Sequence, residues 1–138
     1  MLFWVNLARK DKDAEPTAQV LLPEQIPVRR EGDATVRVLV GAGSPIRLGT
    51  PAIVLDVELV GGGDFTTPIP AEFQGFAYLL EGEAAFGAHA HPARPAQLVL
   101  LGPGNEVTVT AAAPGTRFML MAGRPYGEAP VFNGPYVD

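Results

Sequence analysis

Hydrophobic and polar positions alternate with a period of two in two stretches of this chain. From Ile53 to Val60, Ile53, Leu55, Val57 and Leu59 face one way and Val54, Asp56 and Glu58 the other. Glu106 to Thr110 repeats the pattern, with Val107 and Val109 set against Glu106, Thr108 and Thr110. Alternation of this kind predicts half-buried antiparallel strands. Further strands are predicted over Thr35 to Val40, Phe65 to Ile69, Gln97 to Leu101 and Arg117 to Met121. The densest apolar stretch is Phe76 to Gly87, interrupted by Glu81-Gly82-Glu83. Gly82 tolerates positive φ, so this stretch reads as two strands joined by, or bent at, a glycine corner. Met1 to Leu7 also reads as a strand, with Phe3, Trp4 and Val5 clustered. Sustained 3.6-residue periodicity is absent, apart from a possible helical turn near Leu7 to Asp13.

Sixteen glycines and fourteen prolines lie between these runs, as expected of many turns linking short strands. A length of 138 residues predicts one domain. Its expected parts are an N-terminal strand and extended arm (1–33), a barrel (34–122) and a C-terminal tail (123–138) carrying Tyr126, Phe132 and Tyr136. Leu21, Leu22 and Ile26 in the arm call for cover. The architecture expected is all-β, closed most simply as a jelly-roll barrel.

Net charge is −5, and the ten basic residues are scattered. Arg29-Arg30, the densest basic pair, is followed at once by Glu31 and Asp33 and reads as a solvated turn. No nucleic-acid surface is expected without a clustered basic face. No run approaches the ~18 apolar residues of a membrane span, so no membrane partner is expected. The absence of cysteine excludes disulfides and thiolate chemistry. The short apolar N-terminus lacks the basic leader of a signal peptide, which makes a cytoplasmic protein the expectation.

Six ordered motifs then resemble the pirin family. They are Trp4-Val5-Asn6-Leu7, Gly32-Asp33-Ala34-Thr35-Val36-Arg37-Val38, Tyr78-Leu79-Leu80-Glu81-Gly82-Glu83, Leu100-Leu101-Gly102-Pro103-Gly104, Gly123-Arg124-Pro125 and Gly134-Pro135-Tyr136-Val137. The likeness covers the family's C-terminal half. It implies a cupin, or double-stranded β-helix, barrel. Full-length relatives of this kind are two-domain cupins whose N-terminal barrel holds one iron through three histidines and a glutamate; some act as quercetin dioxygenases, and the animal member is a nuclear co-regulator. None of that iron site maps onto this sequence, so no cofactor is expected. The chain is expected to open on the family's inter-domain strand and to stop before the helix that follows its terminal motif.

The barrel's own metal positions follow from the same resemblance. With the motif's final glycine on Gly82, the histidine pair falls on Ile69 and Ala71 or on Pro68 and Pro70, and the glutamate on Gly75. The later histidine falls on Val107. None of these residues offers a donor side chain, and no catalytic residue is assigned. The weak metal candidates left are His89 and His91, two apart in an expected exposed connection, with Glu72.

The other constellations have bland readings. Ser44, before Pro45, is expected to cap a turn rather than act as a nucleophile. Asp56 and Glu58, about 7 Å apart along one strand face, are expected to form a wet surface rather than an acid–base pair. Glu81 and Glu83 read as a charged hairpin tip, and Gly102-Pro103-Gly104 as a turn rather than a phosphate cradle. Phe73, Phe76, Tyr78 and Phe86 read as core, with stacking of a flat ligand inside the barrel as the alternative.

The function expected from all this is a non-catalytic association domain. It would form a homodimer through its first strand, by strand exchange in one version, or pair with a separate metal-bearing cupin domain. The alternatives are a metal-dependent, quercetinase-like dioxygenase, a metal-free binder of apolar small molecules, and the non-metal half of a two-domain protein of the resembled family.

Overall fold

The structure is a computed structural model that describes residues 2–133, 136 and 137. Among these, ten strands build two facing sheets. They are β1 (Val28–Glu31), β2 (Ala34–Val40), β3 (Ala52–Leu59), β4 (Gly63–Pro68), β5 (Gln74–Glu81), β6 (Ala84–Phe86), β7 (His91–Ala93), β8 (Leu98–Leu100), β9 (Glu106–Ala111) and β10 (Thr116–Gly123). The six-stranded sheet runs β1-β2-β3-β10-β5-β8 and the four-stranded sheet β4-β9-β6-β7. Pairing within both is antiparallel. Two four-strand blocks, β3-β10-β5-β8 over β4-β9-β6-β7, make the jelly roll that the alternation predicted. A short pair, β11 (Phe132–Asn133) with β12 (Tyr136–Val137), follows. Gly134 and Pro135 of the terminal motif lie outside the described residues.

The core sits between the sheets, because each strand turns its alternate apolar residues inward. Val36, Leu55, Val57, Leu59, Leu79 and Leu120 come from the larger sheet, and Phe65, Phe86, Val107 and Val109 from the smaller. Phe118 of β10 ties the sheets together, meeting Phe86 edge-on at 5.5 Å and Phe65 at 6.1 Å between ring centres.

β5 and β6 do not form a hairpin. β10 and β8 occupy the two edges of β5, so no edge is left for β6, and the chain bends at Gly82 from one sheet into the other. Gly82 has φ +75°, and a Cβ there would collide with Thr116, whose Cα would lie 2.8 Å away. Glu81 and Glu83 therefore flank an inter-sheet corner rather than a hairpin tip.

Residues 2–7 join neither sheet, contrary to the strand expected there. They lie across the outer face of the six-stranded sheet and are held at their end, where Thr50 Oγ1 donates to the Asn6 carbonyl and accepts from Tyr126 Oη at 2.7 Å. The expected helical turn is a 3-10 turn, Arg9–Asp11. The arm is less covered than its apolar residues called for: Leu21 and Ile26 are half-buried, while Val20 and Leu22 are exposed. Its last part pairs as β1, so Arg29 and Arg30 sit on a solvated edge strand, and the turn itself is Gly32-Asp33.

Candidate functional site

Among the described residues one concave region lies between the sheets and another outside the larger sheet. The first is a slot of about 540 Å³ at the open end of the sandwich. Ile69, Phe86 and Val107 wall it from the side of the smaller sheet, and Phe73, Val99 and Leu101 from the side of the larger. Ile69, Phe86 and Val107 are buried, and Phe73, Val99 and Leu101 are partly buried against the core. His89, His91, Glu106 and the Gly102-Pro103-Gly104 turn form its rim.

His89 lies in the exposed connection expected of it, and both histidines stand at the rim of the slot. His91 opens β7, both side chains are exposed, and their rings stand 6.0 Å apart edge-on at the mouth of the slot. Glu72, the third candidate, is exposed in the turn before β5 and does not line the slot. Glu106 does, and sequence reading missed it, since its place on the outer register of β9 marked it only as a solvated residue. The three still do not close on an ion: among the described residues no group of three or more His, Cys, Asp or Glu is placed to hold a metal.

The family-implied metal does not fit this barrel. Ile69 and Val107, where imidazoles would stand, present hydrocarbon to the slot. Ala71 and the prolines at 68 and 70 carry no lone-pair donor on their side chains. Gly75 could not become a ligand without rearrangement: a Cβ there would collide with the Met121 carbonyl and lie 2.8 Å from the Ala122 Cα.

The second concavity, about 660 Å³, lies on the outer face of the six-stranded sheet under residues 2–6. Strand registers explain its chemistry. Val54, Met121, Phe76 and Leu100 face one another in succession across β3, β10, β5 and β8, giving one apolar row. The next row is Arg37, Asp56, Met119, Tyr78 and Leu98. Phe76 and Tyr78 thus lie outside the barrel, whereas Phe73 and Phe86 face the slot; the expected aromatic cluster is split between the two faces.

Asp56 is not on a wet face. It is 6% exposed and receives two hydrogen bonds from Arg117, Nε to Oδ1 at 2.8 Å and Nη2 to Oδ2 at 2.7 Å, with Arg37 Nη1 at 3.6 Å. The hydrogen bond to Asp56 pushes the Arg117 guanidinium pKa up. Glu58 meets Arg37 at 3.5 Å. Each carboxylate is matched by a guanidinium, so this is a structural network rather than a proton-transfer pair.

A bulge in β2 displaces Leu39 from its register, and Ser44 Oγ donates to the freed Leu39 carbonyl at 2.6 Å while accepting from the Ile46 amide at 3.1 Å. The hydroxyl is a turn cap, as expected. Gly102-Pro103-Gly104 is a turn at the slot's rim with no helix after it, also as expected. No helix among the described residues is long and apolar enough to cross a membrane.

Comparison with known proteins places this geometry. Residues 54–138 match the family described as the pirin C-terminal cupin domain. A pirin-like protein of Solanum lycopersicum is 36% identical, over 97% of this chain and 48% of its own. Pirin-1 of Arabidopsis thaliana is 35% identical, over 97% of this chain and 50% of its own. The crystal structure of a quercetin 2,3-dioxygenase from Acinetobacter baumannii superposes with a TM-score of 0.86 at 26% identity, over 97% of this chain and 48% of that one. The chain spans about half the length of the curated relatives it matches.

Proposed function

The chain belongs to the pirin family, as a C-terminal cupin domain, and from that premise we propose that it is a non-catalytic domain that acts by associating with a second cupin unit. One observation carries this reading: the continuous apolar row of Val54, Met121, Phe76 and Leu100 on the outer face of the larger sheet. Leu100 at its end is 78% exposed, Leu98 beside it is exposed, and the overlying Leu2 and Trp4 are 93% and 71% exposed. Val54 within the row is buried and Met121 and Phe76 are half-buried, so the exposed hydrocarbon is at Leu98, Leu100, Leu2 and Trp4; exposed apolar groups gathered in this way mark association surfaces. The relatives carry about as many residues again in the same chain, which supports a face built to lie against another folded half. For this chain alone the occupant is a second copy, meeting it face to face about a two-fold axis. Because residues 2–7 are not a strand, the contact is between sheet faces rather than by strand exchange.

The metal positions support the non-catalytic part, since buried Ile69 and Val107 have no lone pairs to offer a cation. Light scattering of the purified chain at micromolar concentration tests the association. Twice the chain mass is expected, reverting to a single mass in Leu100→Glu; a clean monomer for the unsubstituted protein overturns it. Elemental analysis of untagged protein tests the rest. Stoichiometric iron, nickel, manganese or zinc, lost in a His89→Ala His91→Ala double variant, overturns the non-catalytic reading.

A further inference from the structure

The groove on the outer face of the larger sheet owes its depth to the strand registers. Two residues away from Val54, Met121 and Phe76 along their strands, and so on the same face, Ala52, Gly123 and Gln74 stand in succession across β3, β10 and β5. No side chain rises from the sheet at Gly123, and Ala52 contributes a single methyl, so the floor is low there. Residues 2–6 lie over this hollow, and Arg124-Pro125-Tyr126 complete its lining. The volume of about 660 Å³ falls within the range of small-molecule sites. Hydrocarbon runs from Val54 to Phe76 across three adjacent strands, a span of about 10 Å, which suits an elongated body.

Arg124 is the one charged residue in this lining, although the chain as a whole carries a net charge of −5. Its side chain is exposed, and among the described residues no carboxylate pairs with its guanidinium. Arg29, Arg37, Arg94 and Arg117, by contrast, each meet a carboxylate. A largely apolar groove with a single unmatched cation calls for a ligand with hydrocarbon along its length and one negative charge.

We infer that this groove is a binding site for a small monocarboxylate with an elongated apolar body, the body along Val54, Met121 and Phe76 and the carboxylate at Arg124. The body displaces water from the floor and from the covering segment. The guanidinium presents two parallel N–H donors matched to one carboxylate, which fixes the ligand's direction. Leu2 and Trp4 belong both to this lining and to the surface proposed for association, whereas Leu98 and Leu100 do not line the groove. The site rests on the groove and Arg124, and not on that association.

Trp4 is the sole tryptophan of the chain and lines the groove, so intrinsic fluorescence of the whole chain reads the site directly. The probe is sodium decanoate. A saturable change in Trp4 emission is expected, with a dissociation constant on the order of 0.1 mM for a ligand of this size. The neutral 1-decanol, of the same chain length, is expected to bind about tenfold more weakly, as loss of a charge-assisted hydrogen-bonding pair implies. Arg124→Gln changes an exposed side chain and so retains the fold; it is expected to weaken decanoate about tenfold, with Arg124→Lys falling between. Ala52→Phe, which fills the hollow, is expected to abolish binding. Leu100→Glu, outside the lining, is expected to bind decanoate as the unsubstituted chain does, which separates this site from the association. No saturable change up to millimolar decanoate, equal affinity for decanoate and 1-decanol, unchanged affinity in Arg124→Gln, or loss of binding in Leu100→Glu each overturn the assignment.

Discussion

The slot and the outer groove are both largely hydrocarbon and of similar size, yet they are built differently. The slot is framed by strands fixed on both sides by sheet pairing, and its buried walls belong to the core that holds the sandwich together. The groove has one such wall, the outer face of β3, β10 and β5; its other wall is residues 2–6, which belong to neither sheet. Similar composition therefore has different consequences. A cavity with two paired walls keeps its shape. A sheet face covered by a segment outside the sheet is bounded on one side only. The slot's depth is walled by hydrocarbon at Ile69 and Val107, and the groove lies outside the barrel.

The difference can be broken or sharpened by substitution. The largest effect is expected for Phe86→Ala, which removes a ring that both walls the slot and packs on Phe118. Urea unfolding should show a loss of about 3–5 kcal/mol, as for buried aromatic residues generally. A loss under about 1 kcal/mol would mean that the slot's wall is not part of the core. Next comes Arg117→Met, which strips the bidentate partner from buried Asp56 and leaves only Arg37 nearby. Because the guanidinium reaches solvent, the expected loss is about 2 kcal/mol, below that for a fully enclosed pair. The smallest effect on folding is expected on the outer face. Leu100→Glu should leave monomer stability within about 0.5 kcal/mol, so its change in mass by light scattering would report association alone. A large destabilisation there would make the outer row a structural element rather than a docking surface.

Much of this architecture was legible in the order of residues. Strands β2, β4 and β9 announced themselves because each buries alternate residues along one face; β3, β8 and β10 were readable as strand-forming apolar runs, although β3 and β10 bury residues on both faces. The expected glycine corner also held, since Gly82 faces Thr116 at a point where no side chain fits.

What the sequence left open depended on who neighbours whom. Phe3, Trp4 and Val5 have strand-forming character, but a strand needs a free edge, and the edges of the larger sheet are β1 and β8. Strands β1 and β7 are short, with charged, proline or histidine residues, and form only because β2 and β6 stand ready to pair. Asp56 and Glu58 looked solvated on their own strand; Arg117, sixty-one residues away along the chain from Asp56, turns Asp56 into a buried ion-pair partner. His89 and His91 likewise gained their setting from β4, β6 and β9. Local pattern fixes which face of a strand avoids water, because alternation is written residue by residue. Pairing, corners and cavities are decided only when distant segments meet, because hydrogen-bonding edges and opposing charges are supplied by neighbours that the linear order does not reveal.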